Sequence, residues 1–198
     1  MGVGILALQG DFEAHAAALE KRGIEAKLVR TPEEIRQCQA LVLPGGESTA
    51  MWRLMEGTGI PQAIAEVAAT RPVLATCAGV ILLATQVENP QQDGLGVLDV
   101  TVRRNAYGRQ LDSTVLKLRD TCKEELGDEP LEAVFIRAPK ITRAGEGVQV
   151  LARREGDPVL VRSGRILAAT FHPELTDDPR VVDLFEAMLA PRFSESAA

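Results

Sequence analysis

Pro72-Val-Leu-Ala-Thr-Cys77-Ala-Gly79-Val-Ile-Leu-Leu-Ala84 joins two kinds of apolar run across one cysteine and two small residues. Pro72 to Thr76 is rich in Val and Leu and predicts a buried strand. Val80 to Ala84 is apolar on nearly every side and predicts the start of a buried helix. A sharp strand-to-helix turn needs small neighbours, and it lifts its central side chain out of the packed layers. The amides that open the helix point toward the same spot. A thiol placed there is expected to be exposed beside the positive end of a helix dipole, an address that suits a nucleophile. Read alone, the stretch fits equally well a buried cysteine that packs as a small hydrophobe.

Upstream, strands and helices alternate. Val3 to Leu8, Ile24 to Val29 and Ala40 to Leu43 are short apolar strands. Between them, Phe12 to Arg22 carries a helical stripe of Phe12, Ala16 and Leu19 closed by Gly23. Thr31-Pro32-Glu33-Glu34 opens a short helix that runs through Cys38, with an N-cap, a proline and an acidic first turn. Ser48 to Met55 and Ile60 to about Ala69 are two more helices. Nearly continuous apolar strands in a β-α rhythm predict a parallel sheet covered on both faces. Ligands collect beyond the carboxyl ends of such strands. Gln9-Gly10, Gly45-Gly46 and Cys77 all fall at those ends, so they are expected to frame one site.

Downstream the pattern changes. Gly96 to Arg104, Ser113 to Leu118, Leu131 to Ile136, Val148 to Ala152, Val159 to Val161 and Ile166 to Thr170 are short strands between Gly, Asp and Pro turns. They predict an antiparallel or mixed extension of the same sheet. Arg119 to Glu129 is expected to be a surface loop or short helix, and Pro179 to Leu189 a closing helix with Val182, Phe185 and Leu189 on one stripe. One domain over residues 1–190 is expected, with a frayed tail at 191–198.

Composition narrows the function. The 198 residues suffice for one sizeable domain, and 45% hydrophobic with 25% charged residues is ordinary for a globular chain. A net charge of −6 and an isoelectric point near 5.1 argue against a general nucleic-acid binder. No apolar run is long enough to span a membrane, and the N-terminus lacks the basic region of a signal peptide. Cys38, Cys77 and Cys122 are widely spaced without a CxxC pair, which predicts neither a disulfide framework nor a zinc site. A cytoplasmic protein without metal or membrane attachment is the expectation.

Four further motifs carry chemistry. His172-Pro173-Glu174 follows a strand, and residues two apart on an extended segment share a face. The carboxylate would fix the imidazole's tautomer, as a cysteine's base requires. Pro44-Gly45-Gly46-Glu47-Ser48-Thr49 is a glycine turn into a helix, suited to an oxyanion or carboxylate, or simply a βα turn with Ser48 as N-cap. It lacks the lysine-ended loop that cradles nucleotide phosphates. Arg103-Arg104-Asn105-Ala106-Tyr107-Gly108-Arg109-Gln110 and Phe135-Ile136-Arg137-Ala138-Pro139 supply arginine forks for a carboxylate. His15, on the first helix, is expected at the surface or an interface, and Cys38 and Cys122 are expected to be inert.

Together these motifs resemble the class I, triad-type glutamine amidotransferases, and within them the glutaminase subunits of two-component pyridoxal 5′-phosphate synthases. The resemblance rests on Leu8-Gln9-Gly10, Leu43 to Thr49, Thr76-Cys77-Ala78-Gly79, Arg104-Asn105 with Tyr107 to Gln110, Phe135 to Pro139, and Phe171-His172-Pro173-Glu174-Leu175-Thr176. It implies a flavodoxin-like three-layer α/β/α sandwich and hydrolysis of L-glutamine to glutamate and ammonia, with no cofactor. By it, Cys77 is the nucleophile, His172 the general base and acid, and Glu174 the orienter of His172. Gly46 and Ala78 match the oxyanion-hole amides. Gly46, Glu47, Ser48, Arg104, Ile136 and Arg137 match glutamine-binding positions. The implied partner is a (β/α)8 synthase subunit that receives the ammonia, in an assembly of twelve and twelve copies. The Gln9 to His15 segment, with Asp11 and Glu13, is the expected docking surface. Two departures stand out: Cys77-Ala78-Gly79-Val80-Ile81 lacks the glutamine that often ends the elbow in the wider superfamily, and Tyr107 stands where Phe is common. A cysteine hydrolase or peptidase, or a binding module without chemistry, are the rival readings.

Overall fold

The computed structural model describes residues 2–104 and 113–189. Asn105, Tyr107, Gly108, Arg109 and Gln110 of the basic motif, and the tail 191–198, lie outside the described residues. The first half runs β1 (Val3–Leu6), α1 (Phe12–Glu20), β2 (Ala26–Val29), α2 (Pro32–Gln37), β3 (Ala40–Leu43), α3 (Ser48–Met55), α4 (Ile60–Thr70), β4 (Val73–Thr76) and α5 (Ala78–Leu83). The second half runs β5 (Ala84–Glu88), β6 (Leu98–Arg103), β7 (Thr114–Leu118), β8 (Asp120–Thr121), α6 (Lys123–Leu126), β9 (Leu131–Phe135), β10 (Lys140–Ala144), β11 (Gln149–Arg154), β12 (Asp157–Ser163), β13 (Ile166–Ala169), a 3₁₀ turn (Pro173–Leu175) and α7 (Arg180–Leu189).

The main sheet has eight strands in the order β2-β1-β3-β4-β13-β12-β11-β8. From β2 through β13 every pairing is parallel, and the three strands beyond β13 pair antiparallel. The pleat sends alternate residues to opposite faces. Leu6, Leu41, Leu43, Val73 and Ala75 meet Ile35, Met51, Ile64 and Leu82 from helices α2 to α5. Val3, Ile5, Ala40, Val42 and Leu74 meet Leu19 of α1 and Val181, Val182 and Phe185 of α7 on the other side. β1, β3, β4 and β13 are buried along their whole length, which is why their sequences are unbroken apolar runs. The three layers are those expected.

Three details differ from the sequence expectation. Not all the downstream strands extend the main sheet: β10-β6-β5 form a separate three-stranded sheet and β7-β9 a two-stranded ribbon. β5 and β10 carry no clear strand pattern of their own and are held by pairing with β6. The helix after Cys77 stops at Leu83, so Ala84 opens a strand rather than continuing the helix. Elsewhere local chemistry behaves as read: Thr31 and Glu34 form a reciprocal capping box at α2. Among the described residues no helix is long and apolar enough to cross a membrane.

Candidate active site

Cys77 sits between β4 and α5 with φ 46° and ψ −104°, a conformation that non-glycine residues seldom adopt. Its amide donates to the Ala169 carbonyl at 2.8 Å, and the Cys77 carbonyl accepts from Val80 N–H at 3.1 Å. The strained turn is therefore held at both ends by hydrogen bonds. Gly79 has to be small: a Cβ there would overlap the Leu43 carbonyl, so only glycine lets α5 lie against β3 this closely. Contrary to the expected exposure, Cys77 is only 7% accessible and is reached through a pocket.

His172 follows β13 on the adjacent strand end. Its amide donates to Val134 O at 2.8 Å, and its Nδ1 lies 2.7 Å from Glu174 Oε1. The pair meets as expected, but through the 3₁₀ turn that starts at Pro173 rather than across an extended segment. Cys77 is its other polar neighbour in the pocket. Burial alone would pull the His172 pKa down. Cys77 and Glu174, as hydrogen-bond acceptors and as negative charges, overcome it and raise it to about 10, so the imidazole holds its proton at neutral pH. Burial likewise pushes Glu174 up, yet the neighbouring His15 and the bonded His172 bring it below the usual carboxylate range, so it stays ionised. Gly45 is packed against both catalytic candidates: a Cβ there would stand 2.5 Å from His172 Cε1 and 3.3 Å from Cys77 Cβ.

A pocket of about 140 Å³ opens at the carboxyl ends of the parallel strands. Gly46, Glu47, Ser48, Arg104, Ile136 and Arg137 all line it, together with Cys77 and His172. Ala78, the first residue of α5, is buried beside Cys77, and the first amides of a helix have no intrahelical acceptor. Glu47, not Ser48, caps α3: its carboxylate accepts from Thr49 N at 3.1 Å and Ala50 N at 2.7 Å. Burial raises the Glu47 pKa, but these N–H groups and Arg104 carry it below its ordinary value. Arg104 Nη2 is anchored by Thr49 Oγ1 at 2.8 Å and Glu47 Oε1 at 3.4 Å. Arg137 takes a positive φ of 44°, and Cys77 Sγ lies 3.9 Å from the preceding Ile136 carbonyl oxygen.

Ile81 and Gln92 reach the site without a functional signal in the sequence, whereas Gln9, Asp11 and Pro139 fall in stretches already singled out. Asp11, Ile81 and Pro139 complete the wall. Gln9 accepts from Glu47 N at 2.7 Å through its side-chain oxygen and so fastens the first loop to the glycine turn. Gln92 accepts from Ser48 Oγ at 3.1 Å. His15 overturns its expected place at the surface: it is 2% accessible, 2.9 Å from Thr76 Oγ1 and 3.4 Å from Glu174 Oε1. Cys38 and Cys122 lie away from this edge. Cys38 packs against Gly4 and donates to Glu34 O at 3.2 Å, and burial raises its thiol's pKa.

A doubly wound sheet with a cysteine elbow, a buried His–Glu pair and an amide-rich glycine turn at one edge defines the class, a thiol amidohydrolase of the triad amidotransferase type. The model of the SNO glutamine amidotransferase family matches residues 5–190, and the chain belongs to that family. The "Pyridoxal 5′-phosphate synthase subunit PdxT" of Koribacter versatilis is 51% identical over 189 residues, 96% of each chain. The protein of the same name from Thermotoga neapolitana is 48% identical over 192 residues, 96% of this chain and all of that one. A solved structure titled "Crystal structure of glutamine amidotransferase" superposes with a TM-score of 0.86 at 46% identity, covering 94% of this chain and 98% of that one.

Proposed function

We propose that this chain is the glutaminase subunit of a pyridoxal 5′-phosphate synthase, a single domain over residues 1–190 that hydrolyses L-glutamine and passes the ammonia to a synthase subunit. The observation that carries the reading is one pocket that gathers Cys77, His172 and all six residues matched to glutamine binding. Its walls also suit a zwitterionic amino acid. Arg104 and Arg137 would pair with its α-carboxylate, and Asp11 and Glu47 with its α-ammonium group.

In this mechanism the Cys77 thiolate, paired with the His172 imidazolium, attacks the side-chain amide carbon of glutamine. The amides of Gly46 and Ala78 hold the oxyanion. As the C–N bond breaks, His172 gives its proton to the leaving ammonia, and a thioester joins Cys77 to the glutamyl group. His172, now neutral, takes a proton from water, whose oxygen attacks the thioester and releases glutamate. Glu174 keeps His172 in one tautomer and stabilises its cation throughout. No cofactor is required. The ammonia acceptor would be a (β/α)8 synthase, with twelve copies of each subunit in the assembly, as the resemblance implies.

The test is glutamate release from L-glutamine by the chain alone and with its synthase. Cys77→Ala should lower turnover by roughly a thousandfold or more while the protein stays folded. Near wild-type turnover in that variant would end the account.

A further inference from the structure

His15 belongs to none of the roles above, yet it is buried against Glu174 of the triad and against the residue that precedes Cys77. Its Nε2 is 2.9 Å from Thr76 Oγ1, the residue immediately before Cys77, and 3.4 Å from Glu174 Oε1, the same oxygen that lies 2.7 Å from His172 Nδ1. Cys77, His172, Glu174, His15 and Thr76 therefore form a closed ring of contacts that returns to the nucleophile's own strand. The tautomer follows from the surroundings: a bare Nε2 lone pair facing a carboxylate oxygen would be repelled, so Nε2 carries the proton. Burial lowers the His15 pKa most strongly, with the Glu174 charge opposing and the His172 charge assisting, which keeps the ring neutral near pH 7. A neutral donor at this place steadies the carboxylate without competing with His172 as a cation.

We propose that His15 is a positioning residue of the triad, holding Glu174 against His172 and tying both to the Cys77 elbow through Thr76. The inference rests on the glutaminase reading. Without the His15 N–H, Glu174 keeps its bond to His172 but loses its second restraint; among the described residues its other oxygen has no hydrogen-bond partner. The titratable groups facing Glu174 are His172, His15 and Asp11 on the pocket side, and Lys21, Arg22, Asp177 and Asp178 around the cleft behind it. Of these, His15 is the one whose removal takes away a polar N–H beside Glu174 Oε1, which favours the ionised carboxylate, while leaving the pocket wall intact.

The experiment compares His15→Leu, His15→Asn and His15→Gln in the full chain, with synthase present, by kcat, KM and pH profile. His15→Leu and His15→Asn, which lack a donor at the Nε2 position, should lose about tenfold or more in kcat with little change in KM. The acidic limb of their profiles should move to higher pH as Glu174 becomes easier to protonate. His15→Gln, whose amide nitrogen reaches the Nε2 position, should recover most of the rate and the wild-type limb. In a Glu174→Gln background, His15→Leu should cost little more. A loss of equal factor in both backgrounds, an unmoved acidic limb, or full activity in His15→Asn would each overturn the proposal. If the leucine variant fails to fold, the asparagine variant carries the same comparison. An inactive wild type would instead count against the glutaminase reading itself.

Discussion

In the proposed mechanism the reactive thiol is made by its neighbours. Cys77 pays for its strained backbone with hydrogen bonds at both ends, and the turn brings its sulfur to a floor that only the pocket reaches. His172, the proposed base, is held on three sides, by Glu174 at Nδ1, by Val134 O at the backbone and by the flat face that Gly45 presents. That last contact is testable. Gly45 does not need a positive φ, so Gly45→Ala acts only through its methyl group, which must displace His172. We expect kcat/KM to fall roughly tenfold to a hundredfold while stability drops by about 1–2 kcal/mol. Steady-state kinetics beside a denaturant melt checks this; an active variant would mean that the His172 position is not critical.

At the scale of elements, the carboxyl-end edge depends on how the 3₁₀ turn is fastened. Asp178 accepts from Glu132 N at 3.0 Å and binds Arg180 Nη2 at 2.6 Å, and Arg180 in turn donates to the carbonyls of Leu126, Glu129 and Pro130. This clamp joins α7 to the start of β9, the strand that leads into Ile136 and Arg137. Burial would raise the Asp178 pKa, but the Arg180 bond, the two backbone N–H groups and the Arg180 charge bring it down to about 2. A depressed carboxylate stabilises the fold above its unfolded value and loses that contribution as pH falls through its folded value. Asp178→Asn should therefore cost about 1 kcal/mol at neutral pH, after allowance for solvent screening of a partly exposed pair. It should also flatten the loss of stability between about pH 4 and pH 2. Urea melts at several pH values read both effects, and parallel acid limbs in the two proteins would contradict them.

For the whole molecule, the proposed function would release ammonia at the carboxyl-end edge of the sheet, and a synthase that collects it there would cover that edge. Glu13 is exposed on the first turn of α1, next to Asp11 at the pocket wall, and has no place in the pocket itself. The expected docking segment is thus narrowed at its inner end, because His15 faces the triad and is closed to a partner. Glu13→Lys should weaken association with the synthase by about threefold to tenfold, as a rim charge does, while basal glutaminase activity holds. Titration calorimetry at two salt concentrations measures it. Unchanged affinity would move the docking surface elsewhere.

Local pattern alone determined the parallel half of this protein, the elbow at Cys77 and the glycine turn at Gly45-Gly46. Strand burial, helix caps and small residues at sharp turns leave marks within a few neighbouring positions. The His172–Glu174 contact was also legible, since the two residues are close in the chain, although the turn between them was not. Tertiary structure decided the rest. β5 and β10 became strands because β6 offered them hydrogen-bonding edges, a choice made between segments distant in sequence. His15 moved from an expected surface to the back of the triad because α1 packs over the end of β4, 61 residues on from it, where Thr76 and Glu174 satisfy its ring. A buried polar side chain is tolerated only with such partners, and nothing in a local stretch of sequence states where they come from.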